Sequence, residues 1–523
     1  MNKQSVKRRG DDDGSAIAID ILSQLPQPIL HNILSLLSQK DAVRTSVLSK
    51  SWRYLWHGRF NVEFRELDHR YTRKKEFWLF LDTTLQRYHD RNLSLQKFFV
   101  DILRYEADLV DFALLKKWIP VVLMNMGVRS FYLSFFWSTD AYPLPLVVFQ
   151  SESLVELHLH QCNLSVLKST DNIMLNNLQT LSLHGLEITD EIFEKIMSSC
   201  PLIEKLDLYN CTGLKSIKLH KHHNIKDFAY SAIRRIIIEI EDPDTLESFH
   251  FENYCSDWFF PHKNMDFLHL KSLKLRRVQL PAETFDYFSS FFPCLNELII
   301  NNCNGFKEFR LLSSSIKRLT IKMGLKNKIK AFIDTPNILY FEYSADGDGV
   351  LPSIKFTTTS NEWKSKISLR SNPQHSDKDF LKINKLLKAL SQSHITLHLF
   401  PNEYKKLHIN DSYGGLYKPV VVEHLKLRGF FTSYLDPVIL NCFFRICRPR
   451  YIHLDMYNDV QANCNLVEYI SKLIRDEKGQ DLEEVSIQVW DRKAKEWHCV
   501  KGTSFPALCF KQLIRFQLTW KVQ

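Results

Sequence analysis

Three histidines are the first residues whose type and spacing could do chemistry. His158 and His160 alternate within ELHLH, and His184 stands where His160 stands, one copy later in the same pattern. On parallel strands such imidazoles would lie side by side, within reach of a shared metal ion or an acidic ligand. A closed tetrahedral site needs a fourth donor, and no acidic or cysteine partner is evident. A polar surface patch is therefore the expectation, with no metal and no cofactor. The His220-Lys221-His222-His223 cluster reads as a solvated turn. Four bases form a second group: Lys274 and Arg276 in one copy of the pattern, Arg318 and Lys322 two copies on, bracketing Glu297 and Asn301. They could hold an acidic or phosphorylated peptide, since arginine pairs carboxylate or phosphate through two parallel hydrogen bonds. A solvated charged face is the alternative. P-loop, dinucleotide fingerprint, HExxH and GxSxG patterns are all missing from the sequence, so no catalytic residue is expected.

The elements that must position these residues come from a recurring L-x-x-L-x-L pattern. It runs through LVELHLHQCNL from Leu154, LQTLSLHGLEI from Leu178, LIEKLDLYNC from Leu202, LKSLKLRRVQL from Leu270, CLNELIINNC from Cys294 and SIKRLTIKM from Ser315. Weaker copies start at Ile225, Leu246 and Ile338. The central apolar positions are Leu157, Leu181, Leu206, Phe228, Phe249, Leu273, Leu298, Leu319 and Phe341, separated by 21 to 25 residues. That period is the signature of leucine-rich repeats. Phe98 and Phe131 extend the series backward, around an amphipathic helix near Leu109 to Met124. In each short strand the alternation sends leucines inward and intervening residues outward. Every unit buries its apolar edge only against neighbours, so a curved solenoid with an exposed strand face is expected.

Past Phe341 the register loosens. SADGDG reads as a loop, and SKISLRS then precedes a helix from Asp377 to Leu390. Further strands are expected near Leu425, Leu454, Val485 and Phe516, with helical patterns between them. These could continue the solenoid as longer strand-helix repeats or form a C-terminal domain.

Eleven cysteines form no CxxC pair. Cys162, Cys211 and Cys303 each lie five residues after a central leucine, where Asn or Cys caps the strand in such repeats. A structural role follows, and with no apolar signal region in the opening residues reduced thiols in the cytosol or nucleus are the expectation. The chain has 523 residues, 45% of them hydrophobic, and a net charge of +10 spread along its length. Such a chain supports a large packed core, and the modest charge gives no reason to expect nucleic acid as a partner. No run of eighteen apolar residues predicts a membrane span.

Residues 25 to 56, LPQPILHNILSLLSQKDAVRTSVLSKSWRYLW, carry the densest apolar patterning. Pro26 is placed as a first helical residue. Ile29, Leu30, Ile33, Leu34, Leu36 and Leu37 then form a stripe at offsets of three and four. Ser38 with Asp41 signals a second helix. Ser49 caps a third that bears Trp52, Leu55 and Trp56. So small a unit seldom hides that much apolar surface, which predicts a docking surface.

This order of residues, with its VLSKxWRxLW ending, resembles the F-box motif in its plant form, and the cysteine-bearing repeats resemble its frequent companion. The resemblance implies an α/β chain: a polar, disordered tail (1–18), a three-helix F-box (19–62), a leucine-rich-repeat solenoid of parallel strands backed by helices and turns (63–345), and the C-terminal part (346–523). It further implies that Leu25, Pro26, Ile29, Ile33, Leu48 and Trp52 contact or support a Skp-type adaptor, and through it a cullin-RING ubiquitin ligase. The repeats would then hold an unknown protein substrate, without enzymatic activity of their own, in the cytoplasm or nucleus. A non-degradative scaffold and a small-molecule-dependent receptor are the alternatives.

Overall fold

The computed structural model of the protein describes residues 25–37, 41, 44–45, 47, 52, 61–66, 74–102, 109–136, 142–219, 224–241, 243–253, 267–324, 329–346, 351–370, 377–399, 418–428, 443–455, 482–491, 494–499 and 513–520. Leu48, the tail, the 220–223 cluster and the helical patterns at 436–442 and 465–477 lie outside them. The chain divides into two compact units: Met1–Leu181 with Gly185–Glu187 and Lys195–Cys200, and Ser182–His184 with Ile188–Glu194 and Pro201–Gln523.

In the first unit the parallel strands Asn61–Arg65, Lys97–Ile102, Ser130–Phe135 and Glu156–His160 pair in chain order. Val62, Phe98, Phe131 and Leu157 stand directly opposite one another, all buried. Helices Lys74–Asp90 and Leu109–Asn125 lie between the first three strands. The first of these was not anticipated, although Phe77, Leu81, Leu85 and Tyr88 make a helical stripe that is fully buried. Asp82 joins the two helices, accepting from Trp118 Nε1 at 2.7 Å and Lys117 Nζ at 3.0 Å.

In the second unit the series continues as Leu206, Phe228, Phe249, Leu273, Leu298, Leu319 and Phe341, each the Cα partner of the next. Parallel pairing then carries on through Lys364–Arg370, His394–Leu399, Val420–Arg428 and Cys447–Asp455. The register is strongly specified because a one-residue slip would turn every buried leucine outward.

Repeat length decides what runs back between strands. A five-residue strand advances about 17 Å, which a returning strand covers in about five residues but a helix, at 1.5 Å per residue, only in about eleven. Steps of 21 or 22 residues accordingly return as strands, namely Ser216–Leu219, Ile237–Ile240, Glu308–Leu312 and Lys330–Asp334. These pair in turn, 216–219 with 237–240 and 308–312 with 330–334. Steps of 25 hold the short helix Asp190–Ser198 and the helical turns Ala282–Phe291. The 30-residue step from Ser365 to Ile395 holds the helix Asp377–Ala389. The backing is therefore partly a second set of strands, where the sequence suggested only helices and turns.

The C-terminal end differs from a parallel continuation. Ile514–Trp520 pairs antiparallel with both Cys447–Asp455 and Leu482–Asp491, and Glu496–Cys499 adds a last antiparallel strand. The short link from Asp491 to Glu496 closes with Lys495 N–H donating to the Asp491 carbonyl at 2.9 Å. A connection that short permits only a hairpin, since a parallel return needs a crossover of a dozen residues or more.

Cysteines end the strands as the spacing suggested. Cys162, Cys211 and Cys303 are buried, and their thiols donate to the carbonyls of Leu133, Leu183 and Leu275 at 3.9, 3.1 and 3.5 Å. The residue before each, Gln161, Asn210 or Asn302, has a left-handed φ of 50° to 53°, which turns the chain out of the strand. Burial pushes the Cys303 thiol up to about 11, so it is a poor nucleophile at neutral pH. Among the described residues no helix is long and apolar enough to cross a membrane.

Candidate functional site

The N-terminal helix spans Gln27–Leu36. Pro26 precedes it instead of opening it: its ψ of 141° is extended, and its carbonyl accepts from Ile29 N–H at 2.9 Å and Leu30 N–H at 3.2 Å. The apolar stripe divides. Leu30, Leu34 and Trp52 form a buried cluster, with Leu25, Ile33 and Leu37 packed against it. Pro26 is exposed, Ile29 is 45% exposed and Leu36 86%. Trp52, at 2% exposed, supports this surface from inside.

On the strand face of the first unit, Glu63, Phe99, Tyr132 and His158 occupy one lateral row. Phe99 and Tyr132 stack at 4.1 Å between ring centroids, and His158 lies 5.8 Å beyond Tyr132. The Arg65 guanidinium covers Phe99 at 4.4 Å. Burial works against the Glu63 carboxylate, yet Lys97 at 2.9 Å and Arg65 at 3.2 Å hold its pKa below the ordinary value. His160 belongs to the next row, where its Nδ1 is 3.0 Å from Ser134 Oγ and its ring 4.5 Å from that of Phe136. Within the second unit His184 Nε2 lies 3.1 Å from Asp207 Oδ2 and 3.0 Å from Ser182 Oγ. Burial raises the Asp207 carboxyl, but His184 and nearby bases bring it below its ordinary value overall. Each histidine thus has local protein neighbours. Among the described residues no group of three or more His, Cys, Asp or Glu is placed to hold a metal ion.

The four predicted bases do share the strand face of the second unit, but neighbouring carboxylates reach all of them. Lys274 is 3.7 Å and Arg318 3.9 Å from Glu297. Arg276 and Arg277 meet Glu252, 3% exposed, at 3.3 and 2.8 Å. Lys322 lies 3.8 Å from Glu342, which also takes Lys366 at 3.1 Å and the Tyr340 hydroxyl at 3.0 Å. Burial opposes the charge on Glu342, and these donors together still lower its pKa. The expected basic patch is therefore a ladder of alternating sign. The more exposed pairs, those of Lys274 and Arg318 with Glu297, contribute about 0–1 kcal/mol each, and the ladder as a whole directs the face away from simple anion capture. Glu252 and Glu342 were missed because each partner sits one strand away, at a sequence distance of 20 to 25 residues.

Residues 22–61 match the F-box domain model. Residues 115–257 match the LRR repeats of the FBD-associated F-box protein At5g56370. Among curated relatives in Arabidopsis thaliana, F-box/LRR-repeat protein At3g59200 is 34% identical over 203 residues, covering 37% of each chain. Putative F-box protein At1g49610 is 31% identical over 208 residues, 40% of this chain and 49% of the relative. F-box protein At1g60400 is 26% identical over 350 residues, 65% of this chain and 79% of the relative. The chain spans between about a third and a half of the length of the first two relatives.

Proposed function

We propose that this chain, which carries an F-box and leucine-rich repeats of the type found in those plant relatives, recruits protein substrates to an SCF-type ubiquitin ligase. The F-box would dock a Skp-type adaptor, and the strand face would hold the substrate so that its lysines meet a ubiquitin-charged enzyme. The chain's contribution would be proximity, which raises effective concentration without acid, base or nucleophile. The observation carrying this reading is the division of the N-terminal helix, with Leu30, Leu34 and Trp52 buried while Pro26, Ile29 and Leu36 stay exposed. Apolar side chains left outside a small helical unit, inside a matched F-box, favour a partner that covers them.

The test compares capture of a purified Skp-type adaptor by the wild-type chain and by a Pro26→Ala/Ile29→Glu variant. Both positions are exposed, so the variant should keep its thermal transition and lose adaptor capture at least about tenfold, one glutamate being costly in an apolar contact. Trp52→Ala should instead cost roughly 3–5 kcal/mol of stability by emptying a buried site. A folded double variant that still captures the adaptor as the wild type does would overturn the docking role.

A further inference from the structure

Two turns of the second unit share one design. Cys211-Thr212-Gly213 and Cys303-Asn304-Gly305 each follow a strand of the main face, Lys205–Tyr209 or Glu297–Asn301. In both the cysteine is buried and its thiol donates back to a strand carbonyl, that of Leu183 or Leu275. In both the glycine has a left-handed φ, +92° at Gly213 and +94° at Gly305. Each lies so close to the previous turn that a Cβ would stand 2.7 Å from the Ile188 carbonyl oxygen or 2.6 Å from that of Leu280. The middle residue of each turn accepts at its carbonyl, from Ile188 N–H at 2.8 Å or from Leu280 N–H at 2.7 Å. Glycine is therefore required in both turns, while the residue before it is threonine in one and asparagine in the other.

Asparagine before glycine is a reactive pair, because glycine has no side chain to hinder approach to its backbone nitrogen. Asn304 is the only asparagine of the chain that glycine follows, and both residues are exposed. The Gly305 nitrogen, once it has lost its proton to hydroxide, can attack Asn304 Cγ. An N–Cγ bond forms, the Cγ–Nδ2 bond breaks, and the departing nitrogen takes a proton from water and leaves as ammonia. Water then opens the five-membered imide at one of its two carbonyls. Opening at Cγ gives aspartate, and opening at the main-chain carbonyl carbon gives isoaspartate, with the chain rerouted through Cγ. Folding restrains the first step, since ring closure needs the Asn304 backbone to rotate out of its bridge with Gln279. Asn304 N–H donates to the Val278 carbonyl at 3.0 Å and its own carbonyl accepts from Leu280 N–H, so the peptide groups on both sides of the residue are pinned.

We propose that Asn304 is a self-modification site gated by this turn, restrained while the turn is held and converted to aspartate and isoaspartate when the repeat opens. Covalent marking of an opened state follows the population of that state. The two products differ in effect. Aspartate keeps the backbone as it is. Isoaspartate takes from the main chain the carbonyl that Leu280 N–H uses, and it adds a methylene beside Gly305, where the Leu280 carbonyl leaves no room for a Cβ. A repeat that has opened and gained isoaspartate therefore cannot close in the same way.

The test holds the full-length chain in mildly alkaline buffer, folded and in urea, and maps the peptide spanning 304 and 305 by mass spectrometry. An isoaspartate-specific carboxyl methyltransferase gives a second readout. In urea Asn304 should convert ahead of every other asparagine, and in the folded chain it should convert at least about tenfold more slowly. Asn304→Thr, which carries the residue of the sister turn, should keep the thermal transition and acquire no mark at 304, and Asn304→Asp should keep the transition as well. When the folded chain is aged and then partly digested, isoaspartate at 304 should concentrate in the molecules cut first, and aspartate should not. Equal rates in the two states, or no conversion of Asn304 in urea, would overturn the gated site. Loss of the transition in Asn304→Thr, or isoaspartate spread evenly between the cut and the resistant molecules, would overturn the account of the turn on which it stands.

Discussion

Gly305→Val should destabilise the second unit by more than about 3 kcal/mol, read as a lower urea midpoint and as loss of amide protection in the strand Glu297–Asn301. Gly305 sits at a φ of +94°, and a Cβ built there would lie 2.6 Å from the Leu280 carbonyl oxygen. That oxygen belongs to the preceding turn, so no flexible side chain can yield. The turn is drawn close by hydrogen bonds in both directions, Asn304 N–H to the Val278 carbonyl at 3.0 Å and Leu280 N–H to the Asn304 carbonyl at 2.7 Å. A left-handed residue alone costs roughly 1–2 kcal/mol, and the steric overlap adds to it. Gly127 supplies the control: its φ is +67°, yet a Cβ there would meet nothing within 4 Å. Gly127→Ala should therefore show the backbone cost alone. Comparable losses at the two positions would refute the close-approach account.

Acid should loosen the C-terminal strands before it titrates the carboxylates. Burial, then the charges of His424, Lys426, Arg515 and His398, pull the pKa of His453 down from 6.5 to about 3. Burial lowers that of His424 as well. In the unfolded chain these imidazoles take up protons near their ordinary value. The folded chain refuses them, so the unfolded state binds more protons as the pH falls. Stability is complete above about 6.5 and declines below it, at up to about 1.4 kcal/mol per pH unit for each histidine. The carboxylates with lowered values, Glu63, Asp82, Asp207 and Glu342, would lose their contribution only below their unfolded values of about 4. Urea denaturation followed by hydrogen exchange in 447–455 and 514–520 should thus show a slope between pH 6.5 and 5. A His424→Gln/His453→Gln variant should flatten it. An unchanged slope in that variant would sink the assignment.

The unanticipated parts of the molecule have a common character. The lateral row that contains His453 was written in the sequence as four bases, each flanked by apolar residues, in Leu397-His398-Leu399, Leu425-Lys426-Leu427, Ile452-His453-Leu454 and Ile514-Arg515-Phe516. The flanks fix an outward orientation. Nothing local could say that these strands are neighbours, because Ile514–Trp520 reaches Cys447–Asp455 by passing over Leu482–Asp491 in chain order. The same limit explains the basic patch. Lys274, Arg276, Arg318 and Lys322 were rightly placed outward, and their carboxylate partners became visible only once adjacent strands were in register.

By itself the sequence determined the repeat strands of the main face between residues 98 and 341, their central residues and the inward or outward side of their positions. It did so because burying one face of a short strand imposes a strict alternation, repeated at a period any reader can measure. It also determined the N-terminal helix and the cysteine caps, which are local patterns. Only the tertiary structure decided which outward side chains meet, which carboxylates reach the outward bases, and which face of the first helix stays open. Those are properties of pairs, and the partners lie a whole repeat or more apart along the chain. Their energies, about 0–1 kcal/mol each at the surface, leave only a faint mark on any single stretch of residues.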